Sequence, residues 1–464
     1  MLAQKRSLEL NLIKIGMQLP VFSRNSSQPH STTILGQNDE IIVLGSPHNI
    51  LKNSSLLPSN PLIFVTIPFE SYIFRSSIWK HPVSFKGFGS LCFPFVPYKE
   101  YIRIPIGTFE SLFISEGIFE VKALKGVLSC LEFVFGPFSR VYGVGKLSSE
   151  ISQGFLNNNI NHNARNMLIL FDRSIDLLSM SQVNTSYIGL IEEFCCWDSF
   201  ENSPTFESIA KILNVSTTET RNMKMFKSND PTFDELLLMP ITEALQSISN
   251  LDIRSTESER LQKEHMSVIQ NIIRVFKNTF DYEVLTRIQN KEKNYDPKVY
   301  GRVLALDERT KLLGFRLLTI LQCYGMKSEA ESIARVLAFR HSLRTFAKWN
   351  QLDQFLSDVQ IQIPDVLKSY PNKKSLSKLA AALSLILTRE KKETAFPIKP
   401  NYFSNSDKIP SDKQRWFVVT IGGMTLAELW SFKKVASICR PNDEFVFLTT
   451  KLTAPNEFMA EIIE

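Results

Sequence analysis

The chain has 464 residues, too many for one hydrophobic core and enough for about three domains. Apolar residues make up 44% and charged residues 22%, an ordinary globular balance, and the 18 glycines are too few for long flexible loops or a repeated phosphate-cradling loop. The net charge of +6 is spread thinly, with no Lys/Arg block interleaved with aromatics, which argues against a nucleic-acid surface and leaves only weak attraction to anionic membranes.

The 6 cysteines (Cys92, Cys130, Cys195, Cys196, Cys323 and Cys439) form no C-x-x-C pair, and the adjacent Cys195-Cys196 suits neither zinc nor an ordinary disulfide. Reduced thiols are expected. No stretch reaches the about 18 consecutive apolar residues of a membrane span. The opening MLAQKRSLELNLIKIG has neither a long apolar centre nor a small-residue cleavage site, so no signal peptide is expected.

In chain order, residues 1–118 read as an abbreviated α/β region. Ile41–Leu44 and Leu62–Ile67 are short β-branched runs bounded by turn residues; Leu91–Val96 is a third strand candidate demoted by Pro94; residues 23–37 read as an exposed polar loop. From Phe119 to Phe135, apolar residues at helical spacing predict a helix that Gly136-Pro137 ends. Val141–Lys146 superficially resembles a phosphate-binding loop. It has Arg140 and Leu147 where that loop needs a further glycine and a hydroxyl, so a strand-to-helix turn is expected.

Met167–Phe171 is an uninterrupted apolar run, as a strand buried on both faces requires. It stops at Asp172-Arg173-Ser174-Ile175-Asp176, at the carboxyl end of the strand, where open α/β sheets build their sites. Asp172 and Asp176 could be metal ligands or an acid/base pair. Alternatively, Arg173 and the two carboxylates tie the strand end to its neighbours through charge-assisted hydrogen bonds. The second reading is preferred because no His cluster accompanies the pair.

Tyr187–Phe194 starts an amphipathic helix, and from about Pro204 to Lys392 the pattern is one of long helices. Leu261, His265, Ile269, Ile272, Ile273, Phe276 and Phe280 fall on one stripe, on which His265 reads as a hydrogen-bonded edge of the core. Leu312–Leu321 and Ala330–Phe346 form a helical pair joined at Tyr324-Gly325, and Leu376–Leu387 is a last apolar helix. Strand pattern then returns at Trp416–Ile421 and Phe445–Leu448 around a Leu426–Cys439 helix. Thr425 and Glu428 form a capping box, although the Gly422-Gly423 turn before a helix N-terminus can also hold an anion. The expected fold is α/β plus a large helical insertion, with the segments near 170 and 420 in one sheet.

FDRSIDLL at 171–178, YIGLIEEF at 187–194 and FVVTIGGMTLAEL at 417–429 together resemble the Sec/Munc (SM) family of SNARE-binding fusion proteins. The structural motif comprises Asp172, Arg173, Asp176, Gly422, Gly423, Thr425 and Glu428. FGPFSRVYGVGK at 135–146, LLTILQCYGMK at 317–327 and FLTTKLTAPNEFMAEII at 447–463 resemble the branch typified by vacuolar protein sorting-associated protein 33. The resemblance implies an SM-type arch with two parallel-sheet α/β domains and a mainly α-helical third domain. These map to 1–118 (N-terminal, abbreviated), 119–203 with 396–464 (discontinuous, central) and 204–395 (helical). It further implies no catalysis and no cofactor or metal. The implied role is that of a SNARE-binding subunit of a HOPS/CORVET-like tethering complex, peripheral on late endosomal, lysosomal or vacuolar membranes.

Implied partners are SNARE proteins and a vacuolar protein sorting-associated protein 16-like tether subunit. Leu343, Phe346 and Trp349 are candidate anchors for the tether subunit, with internal helix packing as the competing reading; Ile269, Ile273 and Phe276 are candidates for SNARE contact on a helical hairpin near Thr256–Asn290. Two alternatives stay open: an SM protein of a Golgi or plasma-membrane step, and a nucleotide-binding enzyme or switch using Asp172, Asp176 and Gly422-Gly423.

Overall fold

The computed structural model describes residues 33–37, 40–45, 62–66, 85–90, 96–97, 101–104, 106–115, 117–156, 164–194, 231–251, 256–292, 296–306, 310–340, 349, 351–352, 356, 365–372, 376–388 and 413–463. It divides into two compact units, one of residues 1–106 with 119–137 and one of residues 107–118 with 138–464.

The first unit holds a sheet in the order β1 (Thr33–Gln37), β2 (Glu40–Gly45), β3 (Leu62–Thr66), β4 (Phe85–Ser90). β1 and β2 pair antiparallel from Thr33↔Leu44 to Gln37↔Glu40, while β2–β3 and β3–β4 are parallel. One expectation is corrected here: Thr33–Gln37, placed in a polar loop, is a hairpin strand. Phe85–Ser90 is a further strand, and of the expected Leu91–Val96 all but Val96 lies outside the described residues. A two-residue antiparallel pair, β5 (Val96–Pro97) and β6 (Ile102–Arg103), and helix α1 (Ile118–Phe135) follow. Leu124, Val127, Leu128 and Leu131 form the buried stripe of α1.

The second unit is built on four parallel strands in the order β10 (Glu444–Thr449), β9 (Arg415–Ile421), β8 (Asn166–Asp172), β7 (Phe138–Val144). β8 pairs with β9 from Asn166↔Arg415 to Asp172↔Ile421, so the segments near 170 and 420 do share a sheet. Every residue of β8 is buried, because helices cover a parallel sheet on both faces. Helix α2 (Lys146–Leu156) follows β7 directly. Beyond β8 come a one-turn helix α3 (Leu178–Ser181), α4 (Tyr187–Phe194), α5 (Pro231–Leu238) and α6 (Ile241–Ser249).

The helical block continues with α7 (Thr256–Asn278), α8 (Phe280–Gln289), α9 (Pro297–Leu306), α10 (Lys311–Cys323), α11 (Lys327–Arg340) and α12 (Lys378–Thr388). The single stripe expected from Leu261 to Phe280 is broken at Thr279, which leaves helical geometry (φ −105°, ψ 89°) and separates α7 from α8. α12 is buried from Leu379 to Leu387 and packs on α13 (Leu426–Cys439), as a helix apolar on all sides must. α14 (Pro455–Ile463) closes the described chain, with Phe458 edge-on to Phe109 at 5.2 Å. Among the described residues, no helix is long and apolar enough to cross a membrane.

Candidate functional site

The carboxyl end of β8 is where the sequence concentrates its charge, and the three charged residues there all turn inward. The Asp172 carboxylate accepts from the backbone N–H of Leu147 at 2.8 Å and of Ser148 at 2.9 Å, and from the Ser148 hydroxyl. These donors form the N-terminus of α2, where unpaired N–H groups attract negative charge. Gly145, at φ +114°, brings the turn so close that any side chain there would collide with Asp172. Burial pushes the Asp172 pKa up to about 7, against the pull of the hydrogen bonds from Ser148 and Leu147.

Arg173 is fully buried and its donors are spent on three elements. Nε donates to the Gly423 carbonyl at 3.0 Å and Nη1 to the Asp176 carbonyl at 2.9 Å. Nη1 and Nη2 grip Glu428 in a two-pronged pair at 3.0 and 2.7 Å. Glu428 also accepts from Thr425 N–H at 3.1 Å while its own N–H donates to the Thr425 hydroxyl, completing the capping box of α13. Burial raises the Glu428 pKa, and the neighbouring Arg173 guanidinium opposes that rise. Asp176 accepts from Ser179 N–H at 3.1 Å and Oγ at 2.7 Å, and from Leu379 N–H at 3.4 Å at the start of α12.

Three residues that sequence reading left unassigned complete the lattice. Glu192 accepts from Leu426 and Ala427 N–H at 2.7 and 3.3 Å and so occupies the N-terminus of α13; burial holds its pKa well above the usual range. Its neighbour Glu193 takes Arg316 of α10 in a second two-pronged pair at 2.8 and 2.6 Å, both side chains buried. The available signal was the Glu192-Glu193 pair inside an apolar helix, and one arginine inside LLGFRLLTIL at 312–321.

Chemically, this arrangement holds elements together. The anion positions at the starts of α2 and α13, the two turns that could have cradled a phosphate, are filled by Asp172 and Glu192 of the same chain. Among the described residues, no three His, Cys, Asp or Glu side chains gather at a spacing that could hold a metal ion. Gly422 keeps its turn at φ +94°, donating its N–H to the Thr450 hydroxyl at 2.9 Å, and Gly423, at φ +108°, lends its carbonyl to Arg173.

The candidate partner-binding residues divide. Ile269 is fully buried, whereas Ile273 and Phe276 are half-buried, with Phe276 edge-on to Phe194 at 6.3 Å. Trp349 is only 3% exposed and its indole N–H donates to Thr319 at 3.4 Å, so this ring packs internally and is withdrawn as a surface anchor. Leu343 and Phe346 lie outside the described residues. His265 is buried with Nδ1 3.0 Å from the Tyr187 hydroxyl, and burial lowers its pKa to about 3.

A model of the Sec1 family matches residues 119–279. No curated protein sequence matches the chain. Among solved structures, the SM protein Vps45 is similar at 10% identity, covering 90% of this chain and 83% of that one with a TM-score of 0.54. Sly1p, solved with an N-terminal peptide of Sed5p, is similar at 15% identity over 94% and 85% with a TM-score of 0.54. Unc18 in the Unc18–syntaxin 1 complex from Monosiga brevicollis is similar at 11% identity over 92% and 88% with a TM-score of 0.55. Residues 119–279 are thus similar to the Sec1 family, and the chain has the fold seen in the SM proteins.

Proposed function

We propose that this chain is a non-enzymatic SM protein that binds SNARE helices and promotes docking and fusion of membranes. The observation that carries this reading is that the acidic and basic side chains at the strand ends are engaged in holding helices to the sheet, on a fold shared with proteins solved in complex with SNAREs. A rigid scaffold of this kind acts by templating. Disordered SNARE segments lose chain entropy on pairing, and a surface that aligns two of them lowers the cost of the assembly step. Amphipathic helices laid in an apolar groove are the expected recognition mode. The half-buried Ile273 and Phe276 on α7 are the residues offered for it.

More finely, the chain serves as the SM subunit of a HOPS/CORVET-like tethering complex, peripheral on late endosomal, lysosomal or vacuolar membranes. The motif set at 135–146, 317–327 and 447–463 supports this branch over a Golgi or plasma-membrane step. In this reading, residues 204–395 are the helical domain, and Leu343 and Phe346 face a vacuolar protein sorting-associated protein 16-like tether subunit. Co-purification with tether subunits and endolysosomal SNAREs is expected. Phe346→Asp should abolish tether-subunit capture without lowering the melting temperature; a variant that unfolds places Phe346 in the core, and one that still captures the subunit removes it from the interface.

A further inference from the structure

We propose that the segment Ser181–Val183 is a polar bolt that fastens the helical block to the α/β sheet, with Asn456 of α14 as the key that closes it. Three consecutive residues, the last of α3 and the two that follow it, are held by side chains of the helical block. The Ser181 carbonyl accepts from Arg316 Nε at 2.8 Å, and the Gln182 carbonyl from Arg316 Nη2 at 3.1 Å. The Gln182 amide donates to the Tyr324 hydroxyl at 2.6 Å. Val183 is gripped on both sides by Gln289, whose side-chain amide accepts from Val183 N–H at 2.9 Å and donates to its carbonyl at 3.1 Å. That amide does for Val183 what a neighbouring strand would do.

Asn456 joins the same network from the other side. Its Oδ1 accepts from Arg316 Nη1 at 2.8 Å, and its Nδ2 donates to the Tyr282 hydroxyl at 2.8 Å. Helix α8 is therefore held near both of its ends, at Tyr282 by Asn456 and at Gln289 by Val183. Apolar packing at this junction, such as Phe194 against Phe276 and Tyr282, is non-directional and permits sliding. The polar network selects one seating.

The network also opens as a unit. Each bond can be exchanged for one to water, yet the Arg316 guanidinium cannot give up one partner while it stays buried without cost. α8 and α10 thus loosen together from an intact sheet. This holds whether or not the chain binds SNAREs.

Hydrogen exchange of the full chain tests it with Asn456→Ala and, separately, Gln289→Ala, both of which leave the Arg316–Glu193 pair in place. The expected result is exchange faster by about tenfold or more in α8 and α10, with β8 and β9 as protected as in the wild type. Equal loss of protection in helices and strands would overturn the bolt, because a merely stabilising contact lowers both together. Unchanged exchange in both variants would overturn it as well.

Discussion

Arg173 and Arg316 illustrate how a single buried guanidinium organises its surroundings, since each grips a carboxylate with two prongs and spends its other donors on carbonyls or an amide oxygen. A buried pair of this kind adds little net stability, but removing one partner strands the other charge. Arg173→Ala is expected to cost about 3–5 kcal/mol in chemical denaturation, whereas Arg173→Met combined with Glu428→Leu should recover most of that loss. Failure of the double variant to recover would show that the Gly423 and Asp176 bonds matter more than the ion pair.

His265 supplies a pH dependence of known sign. Its folded pKa, near 3, lies below the ordinary value of 6.5, so the unfolded chain takes up a proton that the folded chain refuses. Its contribution is constant above about pH 6.5 and is lost as the pH falls toward 3, at up to about 1.4 kcal/mol per unit. Asp172 acts in the opposite sense, because its raised pKa lets the fold keep a proton between about pH 7 and 4 that the unfolded chain releases. The difference in stability between wild type and His265→Gln should therefore shrink on acidification below pH 6.5. A pH-independent difference would show that His265 is not held neutral.

At the scale of elements, legibility followed locality. β8, β9, α13 and the capping box were readable because a continuous apolar run and a three-residue spacing carry their own signal. Thr425→Ala should lower stability by about 1 kcal/mol, read as a fall in melting temperature, since it removes one hydrogen bond at the start of α13. A larger loss would mean that the cap also positions Glu428 for Arg173.

β4 was missed because FKGFGS alternates phenylalanine with glycine and lysine, which lowers strand propensity. The break at Thr279 was invisible because apolar spacing continues through it, although the Thr279 hydroxyl turns back to the Val275 carbonyl at 2.8 Å. The roles of Glu192 and Arg316 depended on partners 234 and 123 residues away, which periodicity cannot supply. Trp349 is a candidate anchor by family resemblance, with internal packing as the competing reading; only the fold places Thr319 where its N–H finds an acceptor.

At the scale of the molecule, a helical block inserted between two adjacent parallel strands is tied to the α/β part by the buried Glu193–Arg316 pair and by Asp176 at the start of α12, and the role proposed for this scaffold is to hold SNARE helices. Calorimetric titration of the purified full chain, once with SNARE cytoplasmic segments and once with magnesium nucleotides, tests this most directly. Saturable heat with the SNARE segments and none with nucleotides is the predicted outcome. Nucleotide binding that Asp172→Asn abolishes, together with silence toward SNAREs, would contradict it.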